Sequence, residues 1–421
     1  MPKLPDSLLI VLSILRTELE LALRNLIREP GRAGSALAAT IFGVAALVLA
    51  RGFVGGMIDE YRESTIRGEY GHVQVTRPDF HTRGSADPFS FLLPDEQSSP
   101  NVEPLLANGL EISPQLQLAG LMSFGETTLS FIGEGVTIKA LAAQLGHGMK
   151  LVKGRLPKSD DEKAIMIGVG LARMLSIEPG AKVVMLANSP KGGMNAVEVE
   201  VVGTFTAVSR AYDEVAARLP LPLARQLLRV QGSHQWIFQL ENTDRTDAAV
   251  SKLRKLLDKD KFEVTPWYEL AEFFNRASEL LRSQLIVIEA VVVGIILLGI
   301  SNTLTMAVLE RTREIGTCLA LGDPQRLVMR RFLIEGVVVG VAGGMAGLFL
   351  AMLVAWPINS LAIAMPPPPG MAQGYVVHIT ITFVDSLSAL LLVAFSAMAA
   401  SVLPAWRASR IVIVDALRTG R

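Results

Sequence analysis

The sequence predicts an α-helical membrane protein with four transmembrane helices and an α+β extracytoplasmic domain inserted between helices 1 and 2. Three observations carry this. Half of the 421 residues are hydrophobic and 19% are charged, an apolar excess that points away from a soluble enzyme. Four stretches are apolar over about 20 residues, the length that crosses the hydrocarbon layer. They lie at 33–57, 283–308, 332–361 and 382–403, and the long polar block between the first two reads as a folded domain.

The same composition excludes several function classes. The formal net charge is zero, so no global basic field suggests nucleic acid. The single cysteine, Cys318, rules out an intrachain disulfide framework and a cysteine-based metal cluster. His72, His81, His147, His234 and His378 are scattered without ligand spacing, and neither H-E-x-x-H nor G-x-S-x-G occurs. The chain reads as neither an enzyme nor a cofactor-binding protein.

Residues 1–32 carry Leu8, Leu12, Leu15, Leu19, Leu23 and Leu26 at helical spacing between charges. This fits an amphipathic helix in the membrane interface before the chain turns in at Pro30 and Gly31. No small-residue cleavage site follows the apolar Leu8–Leu15 run, so it does not read as a removed signal peptide. The first spanning segment, 33–57, is rich in Gly and Ala, which permits close helix contact. It carries Arg51, and the second span carries Glu289. A lone charge in mid-bilayer costs about 2.5–3.5 kcal/mol on insertion scales, so the two read either as snorkelling ends or as an intramembrane charge pair. Phe53, Met57, Leu285, Ile288 and Val292 are candidate lining residues for a lipid-facing cavity between these two helices, and equally plain packing residues.

Residues 58–282 form the inserted domain. GHVQV at 71–75 alternates and reads as a strand, and 79–104, rich in Pro, Ser and Asp, reads as loop. SFIGEGV reads as a strand and KAIMIGVGLARMLSI as a strand–helix pair. A hairpin turns around NSPKGGMN. WIFQL and VSKLRKLLDK give a further strand and helix. ELAEFFNRASELLRSQL reads as a helix continuous with the second span, a rigid rod able to transmit motion between domain and membrane.

Segment 309–331 is the charged turn between spans 2 and 3. Residues 309–321 can form one helix, with Gly322 as its C-cap, Asp323 as the next N-cap and Pro324 as the first position of the following helix. The third span, 332–361, carries Gly336, Gly340, Gly343, Gly344 and Gly347, small-residue spacings that imply backbone-close packing. The loop 362–381 contains four consecutive prolines from Pro366 and no Lys or Arg. The fourth span ends near Pro404, and the tail occupies 404–421. Lys and Arg cluster before span 1, in the turn 309–331 and in the tail. The positive-inside rule therefore places both termini and that turn in the cytoplasm and the inserted domain outside, which for a bacterial inner-membrane protein is the periplasm or cell exterior.

The turn, LERTREIGTCLALGDPQRLVMRRFLIEG, resembles the cytoplasmic loop of FtsX/MacB-type ABC transporter permeases through Glu310, Arg311, Arg313, Glu314, Ile315, Gly316, Leu321, Gly322, Phe332, Leu333 and Glu335. The tail LPAWRASRIVIVDALR is similar to that family's closing motif, and LALRNLIREPGRA to its entry segment. GFVGGM and GEYGHVQV are similar to stand-alone lipoprotein-releasing permeases of the LolC/LolE type. No G-x-x-x-x-G-K-[ST] phosphate loop occurs, so the resemblance implies a separate cytoplasmic ATPase that binds ATP and Mg. It also implies a second permease chain, homo- or heterodimeric, membrane lipids as surroundings, and mechanotransmission without bond chemistry in this chain. Glu310, Arg311, Arg313, Glu314, Ile315 and Gly316 become the implied ATPase-docking residues. The implied substrate is an inner-membrane lipoprotein. The alternatives are peptide or drug efflux with an outer-membrane partner, or regulation of a periplasmic partner. The hairpin NSPKGGMN is shorter than the hook by which LolC recruits a periplasmic carrier.

Overall fold

The computed structural model describes residues 30–84, 86–95, 111–145, 148–160, 162–190, 192–207, 209–366 and 374–418. The amphipathic reading of 1–29, the prolines after Pro366 and the end of the tail lie outside the described residues. The chain divides into a helical unit, up to Met57 with Glu279–Ile363 and from Val377 onward, and an α/β unit, Ile58–Ser278 with Ala364–Val376.

Four long helices build the first unit: α1 (Pro30–Thr65), α6 (Glu272–Glu310), α8 (Gln325–Leu361) and α9 (Phe383–Ser409). All four are long and apolar enough to span a membrane. Each extends past the apolar run that marks it in the sequence, because an α-helix continues while its backbone bonds are met, whatever the polarity of its side chains. At about 1.5 Å per residue, the 39 residues of α6 reach about 58 Å, against a hydrocarbon layer of about 30 Å. α6 starts at Glu272, after a separate turn at Trp267–Leu270. Pro404 does not end the fourth helix as expected: it sits buried inside α9, which runs on to Ser409. Membrane helices tolerate an internal proline where neighbouring helices and hydroxyl side chains accommodate the freed backbone groups.

The core of this unit gathers Val44 and Leu47 from α1, Ile296 and Ile300 from α6, Val339 from α8 and Val393 from α9. The glycine stripe of α8 serves two neighbours rather than one. A Cβ on Gly336 or Gly340 would meet Ser401 or Ala397 of α9 at 1.7 and 2.4 Å. A Cβ on Gly343 or Gly347 would meet Thr40 or the Ile41 carbonyl of α1 at 2.8 and 2.7 Å. Without a hydrophobic drive between helices in lipid, this backbone-close packing is what holds them together.

In the α/β unit ten strands form one mixed sheet. They are β1 (Val73–Thr76), β2 (Ile112–Phe124), β3 (Thr127–Val136), β4 (Lys150–Gly154), β5 (Ala164–Gly168), β6 (Lys182–Asn188), β7 (Met194–Thr206), β8 (Ala216–Pro220), β9 (Gln235–Phe238) and β10 (Glu263–Pro266). Their order is β10-β1-β9-β2-β3-β8-β5-β7-β4, with β6 bridging β2 and β7. β3–β8 and β5–β7 run parallel, and the other pairs are antiparallel. α3 (Val169–Leu175) and α4 (Leu221–Leu228) pack over one part of the sheet, and α5 (Thr246–Leu256) over β1, β9 and β10. α2 (Ile138–Gln144) closes a smaller cluster with Met166 and Phe205. The alternation in 71–75 separates Val73 and Val75, in the core under α5, from Gln74, which lines a polar recess. Every residue of β1 is buried, because it lies between β10 and β9 with both faces covered. The segment expected as loop from 79 holds two short helical turns, Phe80–Arg83 and Pro88–Phe91.

His72 and His234 are both fully buried, and each Nδ1 accepts a backbone N–H at 3.0 Å, from Leu240 and Gln117 respectively. Burial pushes both imidazoles down to about 4, helped at His72 by the Arg67 charge. An unfolded chain would protonate them near 6.5, so the unfolded state binds more protons between about pH 6.5 and 4 and stability falls as pH falls through that window. Each contributes on the order of 2–3 kcal/mol. Asp213 acts in the opposite sense: burial raises its carboxyl to about 6, so it favours the folded state as pH drops from about 6 to 4. Two histidines outweigh one carboxylate, and the domain should lose stability towards pH 4. A pH series of thermal melts checks this, with a His72→Asn/His234→Asn variant expected to flatten the dependence.

Candidate functional site

After Glu310 the helix breaks at Arg311 and resumes as α7 (Thr312–Ala320), so residues 309–321 are not one helix as expected. The Arg311 guanidinium turns inward to Glu335 of α8, at 3.6 Å, with both side chains less than one-fifth exposed. That pairing ties the junction of α6 and α7 to α8. α7 closes with a Schellman arrangement: the Asp323 N–H donates to the Cys318 carbonyl at 3.0 Å and the Gly322 N–H to that of Leu319 at 3.2 Å. Gly322 holds φ of +101°, which favours glycine. Pro324, not Asp323, is the N-cap of α8, and Asp323 instead accepts from Arg331 at 3.3 Å.

The six residues expected at the ATPase interface divide. Glu310, Arg313 and Glu314 are exposed, Arg311 is half-buried in its ion pair, and Ile315 and Gly316 are buried. Gly316 lies against α10 (Ile413–Arg418), where an added Cβ would meet Ala416 Cβ at 2.6 Å. The turn and the tail, whose motifs lie a hundred residues apart, are thus packed on each other. Leu321 is 83% exposed at the tip of the turn, an apolar residue that charge patterning alone does not single out. On α9, Trp406 carries the Arg410 guanidinium over its ring at 4.7 Å.

Within the helical unit Arg51 and Glu289 meet: Arg51 Nε lies 2.5 Å from Glu289 Oε1, with side chains 17% and 22% exposed. Arg51 Nη1 also donates to Ser388 Oγ on α9, at 2.9 Å. Ser388 adds a third helix to the pair, and a serine two residues after Ser386 near the start of the fourth span offers no sequence signal for this. The five candidate cavity residues differ in burial. Phe53, Met57 and Leu285 are half-buried and Ile288 is exposed, while Val292 packs into the helical core beside Gly43. Two cavities, of about 490 and 410 Å³, are lined by residues of the α/β unit.

Beside the ion pair, an extended strap at 377–380 lies along α1. The Thr380 N–H donates to the Gly52 carbonyl at 3.1 Å. The Asn359 side chain grips Ile379 from α8, donating to its carbonyl at 3.0 Å and accepting from its N–H at 2.8 Å. The strap approaches so closely that Gly52 and Gly56 have no room for a Cβ. These glycines of GFVGGM admit backbone from a loop, not another helix.

Comparison with known proteins follows the same division. The MacB-like periplasmic core domain matches residues 34–256 and the FtsX-like permease C-terminal domain matches 286–413. The chain is 24% identical to the lipoprotein-releasing system transmembrane protein LolC of Neisseria meningitidis over 405 residues, 91% of this chain and 92% of that protein. It is 26% identical over 226 residues to the uncharacterized ABC transporter permease MJ1507 of Methanocaldococcus jannaschii, covering 52% of this chain and 54% of that one. It is 30% identical over 168 residues to the pyoverdine export ATP-binding/permease protein PvdT of Pseudomonas entomophila, covering 38% of this chain. The chain thus spans about a quarter of PvdT and half of MJ1507. With four membrane-spanning helices, an α/β domain inserted after the first, and both domain matches in that order, this chain belongs to the FtsX/MacB family of ABC transporter permeases.

Proposed function

We propose that the chain couples ATP hydrolysis by a separate cytoplasmic ATPase to movement of its extracytoplasmic domain, and that the movement extracts lipoproteins from the inner membrane. The family implies the ATPase and a second permease chain. The observation that carries the lipoprotein reading is the correspondence with LolC over nine-tenths of both chains, against a partial match to the export protein PvdT. In this reading α7 and both termini face the cytoplasm. Glu310, Arg313, Glu314 and Leu321 present the docking surface, while Arg311, Ile315 and Gly316 hold α7 to α8 and α10 so that a push on α7 reaches the spanning helices. ATP and Mg are held by the partner. Arg51, Glu289 and Ser388 tie α1, α6 and α9 so that those helices move together.

Reconstitution tests the function: the chain with its ATPase should release a lipid-anchored protein from proteoliposomes only with ATP. Release of an unanchored peptide instead would favour efflux. Arg313→Glu combined with Leu321→Asp should reduce co-purification of the ATPase at least tenfold, while membrane insertion is unchanged. Undiminished co-purification would move the docking surface elsewhere. Cys318, the only cysteine, should react in intact cells with permeant but not impermeant thiol reagents.

A further inference from the structure

A row of polar side chains crosses the middle of the sheet where apolar residues would be expected. Gln74 on β1, Gln235 on β9 and Gln115 on β2 are each 2–3% exposed. Burying an amide without partners costs about 1–3 kcal/mol, so such a row persists only if its groups are bonded or used. Part of the bonding is internal. Gln235 Nε2 donates to Gln115 Oε1 at 2.9 Å, Gln115 Nε2 to Glu134 of β3, and Gln74 Nε2 to the Tyr70 carbonyl at 2.9 Å. A side-chain amide has two N–H groups and a carbonyl, and these bonds engage one N–H of each. All three glutamines line the recess of about 410 Å³, within the range of small-ligand sites.

The charge lining the recess has one sign. Glu69, Glu134, Glu269 and Glu272 contribute to its wall and no Lys or Arg does. Two are compensated from outside it: Glu134 by Arg218 at 2.7 Å, and Glu272 by Arg276 one helical turn on. Glu69 and Glu269 form no salt bridge among the described residues; Glu269 is exposed, while burial pushes the Glu69 carboxyl above its ordinary range and Tyr70 shares a hydrogen bond with it. No group of three His, Cys, Asp or Glu among the described residues is arranged to hold a metal ion. Carboxylates that do not converge on a point, beside amides that offer both donors and acceptors, suit an extended organic cation better than an inorganic one.

We propose that this recess binds a basic peptide group, a guanidinium or ammonium side chain next to a peptide bond. The cation lies between Glu69 and Glu269, and the peptide amide pairs with the glutamine row. The recess is a site of the α/β domain, separate from the docking turn and from the intramembrane pair.

Calorimetric titration of the full chain in detergent micelles tests this with the dipeptide amide Gly-Arg-NH₂ as probe, and spermidine and Gly-Glu for comparison. Saturable binding of Gly-Arg-NH₂ is expected, with spermidine and Gly-Glu at least about tenfold weaker. Glu69→Gln/Glu269→Gln should weaken the probe about tenfold or more. Glutamine keeps the shape and an acceptor oxygen at each position, so this variant should keep its thermal melt, and Gln235→Leu provides a second test from the amide side. No saturable binding, equal binding of Gly-Glu or spermidine, or unchanged affinity in both variants would overturn the assignment.

Discussion

Arg218→Met is expected to destabilise the α/β domain by about 3–5 kcal/mol, a large part of the roughly 5–15 kcal/mol that holds a domain folded. Arg218 is 3% exposed on β8, directly across from Glu134 on the parallel strand β3. Its Nη1 lies 2.7 Å from Glu134 Oε2 and donates to the Tyr212 hydroxyl at 2.7 Å, and that hydroxyl donates to Glu134 Oε1 at 2.6 Å. Burial opposes the guanidinium's charge, but the Glu134 carboxylate more than offsets this and keeps it protonated. Removing Arg218 leaves a buried carboxylate with only hydroxyl and amide partners, and the large effect comes from that stranded charge. Removing both charges, as Glu134→Leu/Arg218→Met, should be much milder, because two desolvation penalties vanish together with one attraction. Hydrogen exchange of the sheet amides in the full chain reads both variants. A single variant as stable as the double would show that the ion pair is not what the fold depends on.

Gly56→Ala should dislodge the 377–380 strap, with a loss of about 3 kcal/mol or more. The new Cβ would lie 1.9 Å from the His378 carbonyl oxygen, which is backbone and cannot rotate away. Lifting the strap breaks the Thr380 bond to Gly52 and both bonds from Asn359 to Ile379, each worth about 1 kcal/mol. Gly55→Ala is the matched control, since its Cβ would stand 3.5 Å from Thr380 Oγ1, an ordinary contact. Faster exchange of the Ile379 and Thr380 amides in the first variant and not in the second is the expected result. If the two melt together, the strap does not stabilise the helical unit.

The four spans were legible because a membrane helix announces itself locally, through apolar length and flanking charge. The strand–helix pair at Ala164–Leu175 and the hairpin of β6 and β7 were legible through turn chemistry and alternation. β1 was legible through the same alternation, which sets Val73 and Val75 in the core and Gln74 at the recess. Helical propensity runs unbroken through ERTREIG, so nothing local marks the break at Arg311, and its partner Glu335 lies on the next long helix. The same applies to Pro404: on its own it reads as a helix end, and only neighbouring helices make an internal proline tolerable.

The sequence by itself determined the number of spans, the place of the inserted domain and the family, because hydropathy and the motifs around Gly316 are written in consecutive residues. Tertiary structure alone decided which side chains of α7 point outward, that Ser388 joins Arg51 and Glu289, and that a row of glutamines meets a recess. Those facts depend on which distant elements lie side by side. A one-residue shift in strand pairing or a quarter-turn of a helix would change every one of them without altering the composition or the pattern along the chain.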